Sequence, residues 1–256
     1  MVFYFSGTGN SLWVAKQICE AFHEKLLSIS DELNQEKELI YSLRDEETIF
    51  FVFPVHSWGP AVPVMRFMER LKLENYHGQS IYMISTCGDE CGHTVDIFHA
   101  ALLKRNISLT AGYSVIMPNN YVLLPGFDVD SKELENKKLR DSSYFIEEII
   151  ATIRENKGIG IYHKGRLAYL KSYLIYPLFR KFAGGKNYFY AKENCTSCNL
   201  CVRVCPTQTI TMKNEKPVWS NTCVQCTACI HRCPVNAIEY GKISLKKGRY
   251  RHPEIC

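Results

Sequence analysis

Eight cysteines between positions 195 and 233 constrain this chain more than any other feature. They run Cys195-x2-Cys198-x2-Cys201-x3-Cys205-Pro206, then Cys223-x2-Cys226-x2-Cys229-x3-Cys233-Pro234. A shift of 28 residues carries each member of the first set onto the second, and carries Ile210 onto Ile238. A C-x2-C-x2-C loop is tight enough to wrap three thiolates around three iron corners of a cubic iron–sulfur cluster, while the x3 gap and the proline hold the fourth cysteine off that loop. Zinc modules usually place longer gaps between their C-x2-C halves. Disulfide frameworks belong to secreted chains, and this sequence opens on the apolar run Val2–Phe5 without the succession of charged, apolar and small residues that marks a secretory signal.

The segment resembles a two-cluster bacterial-type ferredoxin. That resemblance implies that Cys195, Cys198, Cys201 and Cys233 bind one 4Fe–4S cluster, and that Cys223, Cys226, Cys229 and Cys205 bind the other. Free thiolates point to a reducing, cytoplasmic setting. The chain carries a formal net charge of +5, unevenly spread. Residues 191–256 hold ten Lys/Arg against four Glu, so this part contributes +6 and residues 1–190 about −1. Many bacterial ferredoxins are acidic. The reversed sign here suits a redox partner with an acidic docking face (a ferredoxin, a flavodoxin or a reductase), and a merely solvated basic surface is the equal alternative. No aromatic-interleaved basic groove or known binding motif argues for nucleic acid. No apolar run reaches the length of an integral membrane segment.

The second informative stretch follows the first apolar run. Ser6-Gly7-Thr8-Gly9-Asn10-Ser11 leads into helical periodicity at Leu12, Ala15, Ile18 and Phe22. A strand, a glycine turn and a helix N-terminus make a phosphate site. A Walker loop is excluded because no G-K-[ST] follows, and a dinucleotide fingerprint because its third glycine position is Leu12. What remains is rich in hydroxyls and backbone N–H groups and has no cation. It resembles the phosphate loop of flavodoxins, which implies FMN as cofactor.

Further apolar runs at Thr48–Val55, Ser80–Thr86 and Leu109–Met117 alternate with helical patterns, the last a helix over 131–156 capped by Ser131 and stopped by Gly158. The expected fold is α/β: a flavodoxin-like doubly wound parallel sheet over 1–157, a basic and aromatic connecting segment over 158–187, and an α+β bacterial ferredoxin-like domain with a basic tail over 188–256. The flavodoxin resemblance places the loops after the third and fourth strands beside the flavin ring. These loops carry Pro54, Val55, His56, Ser57, Trp58 and Gly59, then Thr86, Cys87 and Gly88, with Asn120 and Tyr121 beyond the next strand. Trp58 offers a π-face for stacking, and His56 a hydrogen bond. Cys87 and Cys91 have C-x3-C spacing rather than the C-x-x-C of dithiol enzymes, and read as small loop residues; Cys19 reads as core.

In the connecting segment Tyr169, Tyr173, Tyr176 and Phe179 recur at helical spacing among basic residues. The expectation is a helix clamping the ferredoxin module onto the flavin domain, with a membrane-surface helix as the alternative and Gly184-Gly185 as a hinge. The whole resembles flavodoxin–ferredoxin fusions, which implies an electron-transfer protein relaying electrons between the clusters, FMN and redox partners. Alternatives are a ferredoxin-dependent FMN reductase, with His56, Asp89, His93 or Tyr121 as proton donor, and a redox sensor.

Overall fold

The computed structural model describes residues 1–35, 37–155, 160–182 and 188–255. The expected helix stop at Gly158 and the hinge at Gly184-Gly185 lie outside the described residues. The apolar runs form a central parallel sheet of β1 (Val2–Tyr4), β2 (Leu26–Ser28), β3 (Ile49–His56), β4 (Ile81–Cys87) and β5 (Ala111–Ile116), in the order β2-β1-β3-β4-β5. The edge strand β2 was not expected: its three residues carry too little pattern to be seen. Phe51 lies in register between Phe3 and Met83.

Alternation along the strands feeds two cores. Val2, Phe50, Val52 and Ile84 face α1 (Asn10–Phe22) and α4 (Lys132–Arg154), through Trp13, Val14, Ile18, Ile146 and Ile149. Phe3, Phe51, Phe53 and Met83 face α2 (Val62–Arg70) and α3 (Thr94–Leu103), through Val64, Phe67, Phe98 and Leu102. Burial on both faces is why β3 is apolar at every position from Ile49 to Phe53. Ser131 caps α4 by accepting a hydrogen bond from the Leu134 N–H at 3.3 Å. The strand order reverses between β1 and β3, which opens a crevice at their carboxyl ends.

The connecting helix α5 comes in three pieces: Ala168–Leu170, a π-helical Lys171–Ile175, and Tyr176–Phe182. Its inner face is pinned to the loop after β3. The Tyr176 hydroxyl donates to the Pro60 carbonyl at 2.7 Å, and Ser172 Oγ donates to the Trp58 carbonyl at 2.7 Å. Its outer face leaves Leu167, Leu170, Leu174 and Leu178 exposed.

Two antiparallel pairs, β6 (Phe189–Ala191) with β9 (Ile238–Tyr240) and β7 (Ile210–Lys213) with β8 (Lys216–Trp219), frame the C-terminal ferredoxin-like domain. Short helices α6 (Leu200–Arg203) and α7 (Ala228–Arg232) follow the cysteine loops. The 28-residue sequence repeat is also a backbone repeat. Left-handed φ angles recur at Ser197 and Gln225 (53° and 53°), at Asn199 and Thr227 (59° and 61°), and at Gln208 and Asn236 (49° and 48°).

The tail after β9 crosses back to the sheet domain. Tyr250 donates its hydroxyl to Asn10 Oδ1 at 2.6 Å, His252 stacks on Trp13 at 5.2 Å between ring centroids, and Ile255 enters the core beneath α1. Glu239, 2% exposed, anchors the start of the tail through Ser244 (2.5 Å), Arg249 (2.9 Å) and Lys192 (3.3 Å). Removing this carboxylate charge leaves two partly solvated cations facing a buried neutral group. Glu239→Gln is expected to cost about 3 kcal/mol, the lower end for a broken buried pair because Lys192 and Arg249 keep some solvent. The check is a lower urea midpoint at unchanged m-value.

Candidate functional site

The crevice is a cavity of about 620 Å³, within the usual range of small-molecule sites. One end is the loop after β1. Gly9 turns it at φ 112°, a value that favours glycine, and donates its N–H to Ser6 Oγ at 3.2 Å. α1 then begins with no side-chain cap, so its first-turn N–H groups stay available to an anion. The side chains of this loop brace it. Asn10 donates to the Pro118 carbonyl at 3.0 Å, Ser11 pairs with Thr86 at 2.7 Å, and Asn120 donates to Thr8 Oγ1 at 2.6 Å. Among the described lining residues there is no Lys or Arg.

Of the expected contact residues, Ser6, Gly7, Thr8, Asn10, Ser11, Pro54, Val55, His56, Ser57, Trp58, Thr86, Cys87, Gly88, Asn120 and Tyr121 line the cavity. Gly9 and Gly59 stand behind its wall. A Cβ on Gly9 would lie 2.8 Å from His252 Cβ, and one on Gly59 would lie 2.5 Å from the Tyr176 ring. Their lack of a side chain serves packing rather than ligand contact.

At the ring-like end of the cavity, Ser57 and Trp58 both take left-handed φ (51° and 62°), which turns the chain sharply after β3. Lys171 Nζ sits 5.0 Å from the Trp58 ring centroid, so a cation occupies one face of the indole expected to stack on the flavin. His56 is held between Phe5 and Phe179, its Nδ1 is buried without a hydrogen-bond partner, and burial pushes its pKa down to about 4. It is therefore neutral at ordinary pH. Of the other suggested proton donors, Tyr121 gives its hydroxyl to Gln225 Oε1 at 2.9 Å, with burial holding its pKa well above normal. His93 pairs with Asp96 at 2.5 Å, outside the lining, and Asp89 lies in the lining. Sequence reasoning missed Ile175 and Phe179 of α5, Leu124 and Phe127, and Gln225 with Thr227. The only signal for these was the aromatic stripe of α5.

The eight motif cysteines lie in two neighbourhoods of the C-terminal domain. Cys195, Cys198, Cys201 and Cys233 border one small enclosed space, with Met212, Pro217 and Ile238. Cys223, Cys226 and Cys229 are desolvated together. Burial pushes the Cys223 thiol up to about 11, Cys226 up to about 12 and Cys229 well above the usual value, with Cys205 close enough to add to each. Iron cations would reverse that penalty, because coordination deprotonates a thiol outright. Backbone N–H groups already point at the sulfurs, and do so with the repeat: Thr209 to Cys205 at 3.3 Å and Ala237 to Cys233 at 3.2 Å. Among the described residues no group of three or more His, Cys, Asp or Glu is drawn in to hold a single metal ion. A cubic cluster takes one thiolate at each iron corner, so its ligands stand further apart.

The two centres meet. Gln225, Cys226 and Thr227 line the same cavity as Ser6–Thr8, and a Cβ on Gly7 would overlap the Cys226 carbonyl oxygen. His231 bonds the Asn120 carbonyl at 2.6 Å across this seam. Close by, burial lowers the His252 pKa to about 4, against about 6.5 in an unfolded chain. The unfolded state therefore binds more protons between these values, and this contribution to stability is lost as pH falls from about 6.5 toward 4. His252→Phe, which keeps the stack on Trp13, is expected to flatten the pH dependence of the urea midpoint in that window.

Comparison with known proteins bears on the C-terminal part. Residues 194–238 match the family described as the 4Fe-4S dicluster domain. No curated protein matches the chain. Among solved structures, the Trp repressor binding protein from Bacillus subtilis matches at 14% identity over 56% of this chain and 94% of that one, with a TM-score of 0.34. No helix is long and apolar enough to cross a membrane among the described residues. Residues 194–238 are a ferredoxin-type 4Fe–4S dicluster domain, carried by a chain whose larger part is a parallel α/β sheet.

Proposed function

We propose that this protein is an intramolecular electron relay between two 4Fe–4S clusters and FMN. In this reading Cys195, Cys198, Cys201 and Cys233 hold one cluster, Cys223, Cys226, Cys229 and Cys205 the other, and FMN fills the cavity at the carboxyl ends of β1, β3 and β4. The observation that carries it is the shared wall: Cys226, a cluster ligand in this reading, borders the cavity and its carbonyl packs on Gly7. When bound, the clusters supply one-electron chemistry, and the flavin supplies both one- and two-electron chemistry.

The protein's own residues hold and isolate the groups. First-turn N–H groups of α1 take the phosphate without a cation. His56, neutral at ordinary pH, lines the ring end beside Trp58. Ile175 and Phe179 cover the cavity with apolar surface that keeps water out. Arg203, Lys213, Lys242, Lys246 and Arg251 are exposed and suit a partner with an acidic face, which steers encounter more than it adds affinity.

The test is an anaerobic dithionite titration of the reconstituted protein, followed by flavin absorbance and cluster EPR. One FMN and two clusters per chain are expected, with roughly eight iron atoms. Failure of FMN to rebind overturns the flavin half of the reading. Gly7→Ala is expected to cost about 1–3 kcal/mol by overpacking and to slow cluster-to-flavin transfer at unchanged iron content. Reduction by an acidic carrier protein should slow as salt is raised, because steering between charged faces is screened.

A further inference from the structure

The thiols of Cys87 and Cys91 have no part in the relay, yet they are the most closely placed pair of reactive groups beside the cavity. Their sulfurs lie 2.9 Å apart in hydrogen-bonded contact. Both are buried, at 8% and 0% exposure, and Cys87 is in the cavity wall at the end of β4. We propose that Cys87 and Cys91 form a redox-active dithiol, a two-electron centre that exchanges electrons with the flavin. The proposal rests on the flavin reading given above.

The C-x3-C spacing lacks the helical C-x-x-C geometry of dithiol enzymes, but here a turn over residues 88–91 folds the chain back and brings the sulfurs together instead. Gly92, at φ 59°, closes that turn. Cys91 is then fixed from behind. Its N–H donates to the His163 carbonyl at 3.0 Å, and its carbonyl accepts from Thr94 Oγ1 at 2.7 Å and Tyr162 at 3.3 Å. A disulfide is about 2.05 Å long, so the sulfurs need to close by less than about 1 Å. The polar surroundings divide the pair unequally. The Cys87 thiol and the hydroxyls of Ser85 and Ser114 favour the Cys91 thiolate, while Cys91 and burial hold the Cys87 proton in place. The more ionisable sulfur is thus the shielded one, and the one facing the cavity keeps its proton.

The chemistry balances within the protein as proposed. Forming the S–S bond breaks two S–H bonds and releases two electrons and two protons, which oxidised FMN accepts to become its two-electron reduced form. In reverse, the clusters return electrons singly by way of the flavin, two of them reopen the disulfide, and two protons restore the thiols. The centre therefore stores a pair of electrons that two one-electron clusters can deliver or draw.

Both cysteines fall on one tryptic peptide, because no Lys or Arg lies between Lys72 and Lys104. The protein is oxidised anaerobically with a quinone, or reduced with dithionite, then denatured in iodoacetamide and digested. Oxidised protein is expected to give this peptide unalkylated and about 2 Da light, and reduced protein to give it doubly alkylated. Cys91→Ser should take up roughly four electrons per chain where the native protein takes roughly six, with flavin and cluster absorbance unchanged. Double alkylation of the oxidised protein, or equal electron uptake by the variant, overturns the proposal. The peptide measurement needs no variant to fold. If FMN does not bind but the linkage still forms and reopens with cluster reduction, the exchange with flavin is overturned while the dithiol centre stands. If FMN binds and both thiols alkylate, the dithiol alone falls.

Discussion

The approach of the Cys226 carbonyl to Gly7 is the contact on which the arrangement of this molecule depends. One loop follows the first strand of a parallel sheet; the other is the second cysteine loop of a ferredoxin-type domain, more than two hundred residues later. Backbone meets backbone only because position 7 has no side chain. Around that point the seam is polar and paired, through Tyr121 with Gln225, Asn120 with His231, and Tyr250 with Asn10. Buried polar groups that satisfy one another fix orientation better than apolar contact does, since any slip leaves them unpaired at a cost. The cavity at the strand ends and the second cysteine loop are thereby held in one fixed relation.

The ferredoxin-type domain solves a different problem, that of placing thiolates where little secondary structure exists. Its helices are four and five residues long and its strands three or four. Order comes from the repeated left-handed turns at Ser197 and Gln225 and at Asn199 and Thr227, which aim backbone N–H groups at sulfur. None of these residues is glycine, although Asn199 is of a type that tolerates the left-handed region. Backbone N–H groups donate to the sulfur of the fourth cysteine of each run alike, at Cys205 and Cys233.

The cavity has a consistent electrostatic character. At one end the first turn of α1 has no side-chain cap, and the rest of the wall holds a neutral imidazole, a tryptophan, two apolar residues of α5 and the carboxylates of Asp89 and Glu90. Two cations sit just behind the wall: Lys171 pairs with Glu90 and lies over the Trp58 ring, and Lys138 donates to the Gly88 carbonyl at 2.9 Å. Among the described lining residues the charged side chains are therefore all acidic.

The sequence by itself determined the local chemistry. The cysteine spacing and its 28-residue repeat marked the ferredoxin-type segment, because three thiols on one short loop must stay close together. Long apolar runs such as Ile49–Phe53 specified central strands, because only a strand covered on both faces has no polar side. The hydroxyl-rich turn after Val2–Phe5 marked a helix N-terminus for the same local reason. Only the tertiary structure decided what these units face. Nothing in the pattern of Leu26–Ser28 marks an edge strand, nothing in Tyr250 or His252 shows that the tail returns to α1, and α5 showed its stripe without showing that Phe179 looks into the cavity. The contact between Cys87 and Cys91 was hidden because it is made by irregular backbone after β4 rather than by a helix or strand. Each of these depends on partners far away in the chain, and periodicity and spacing report only on neighbours.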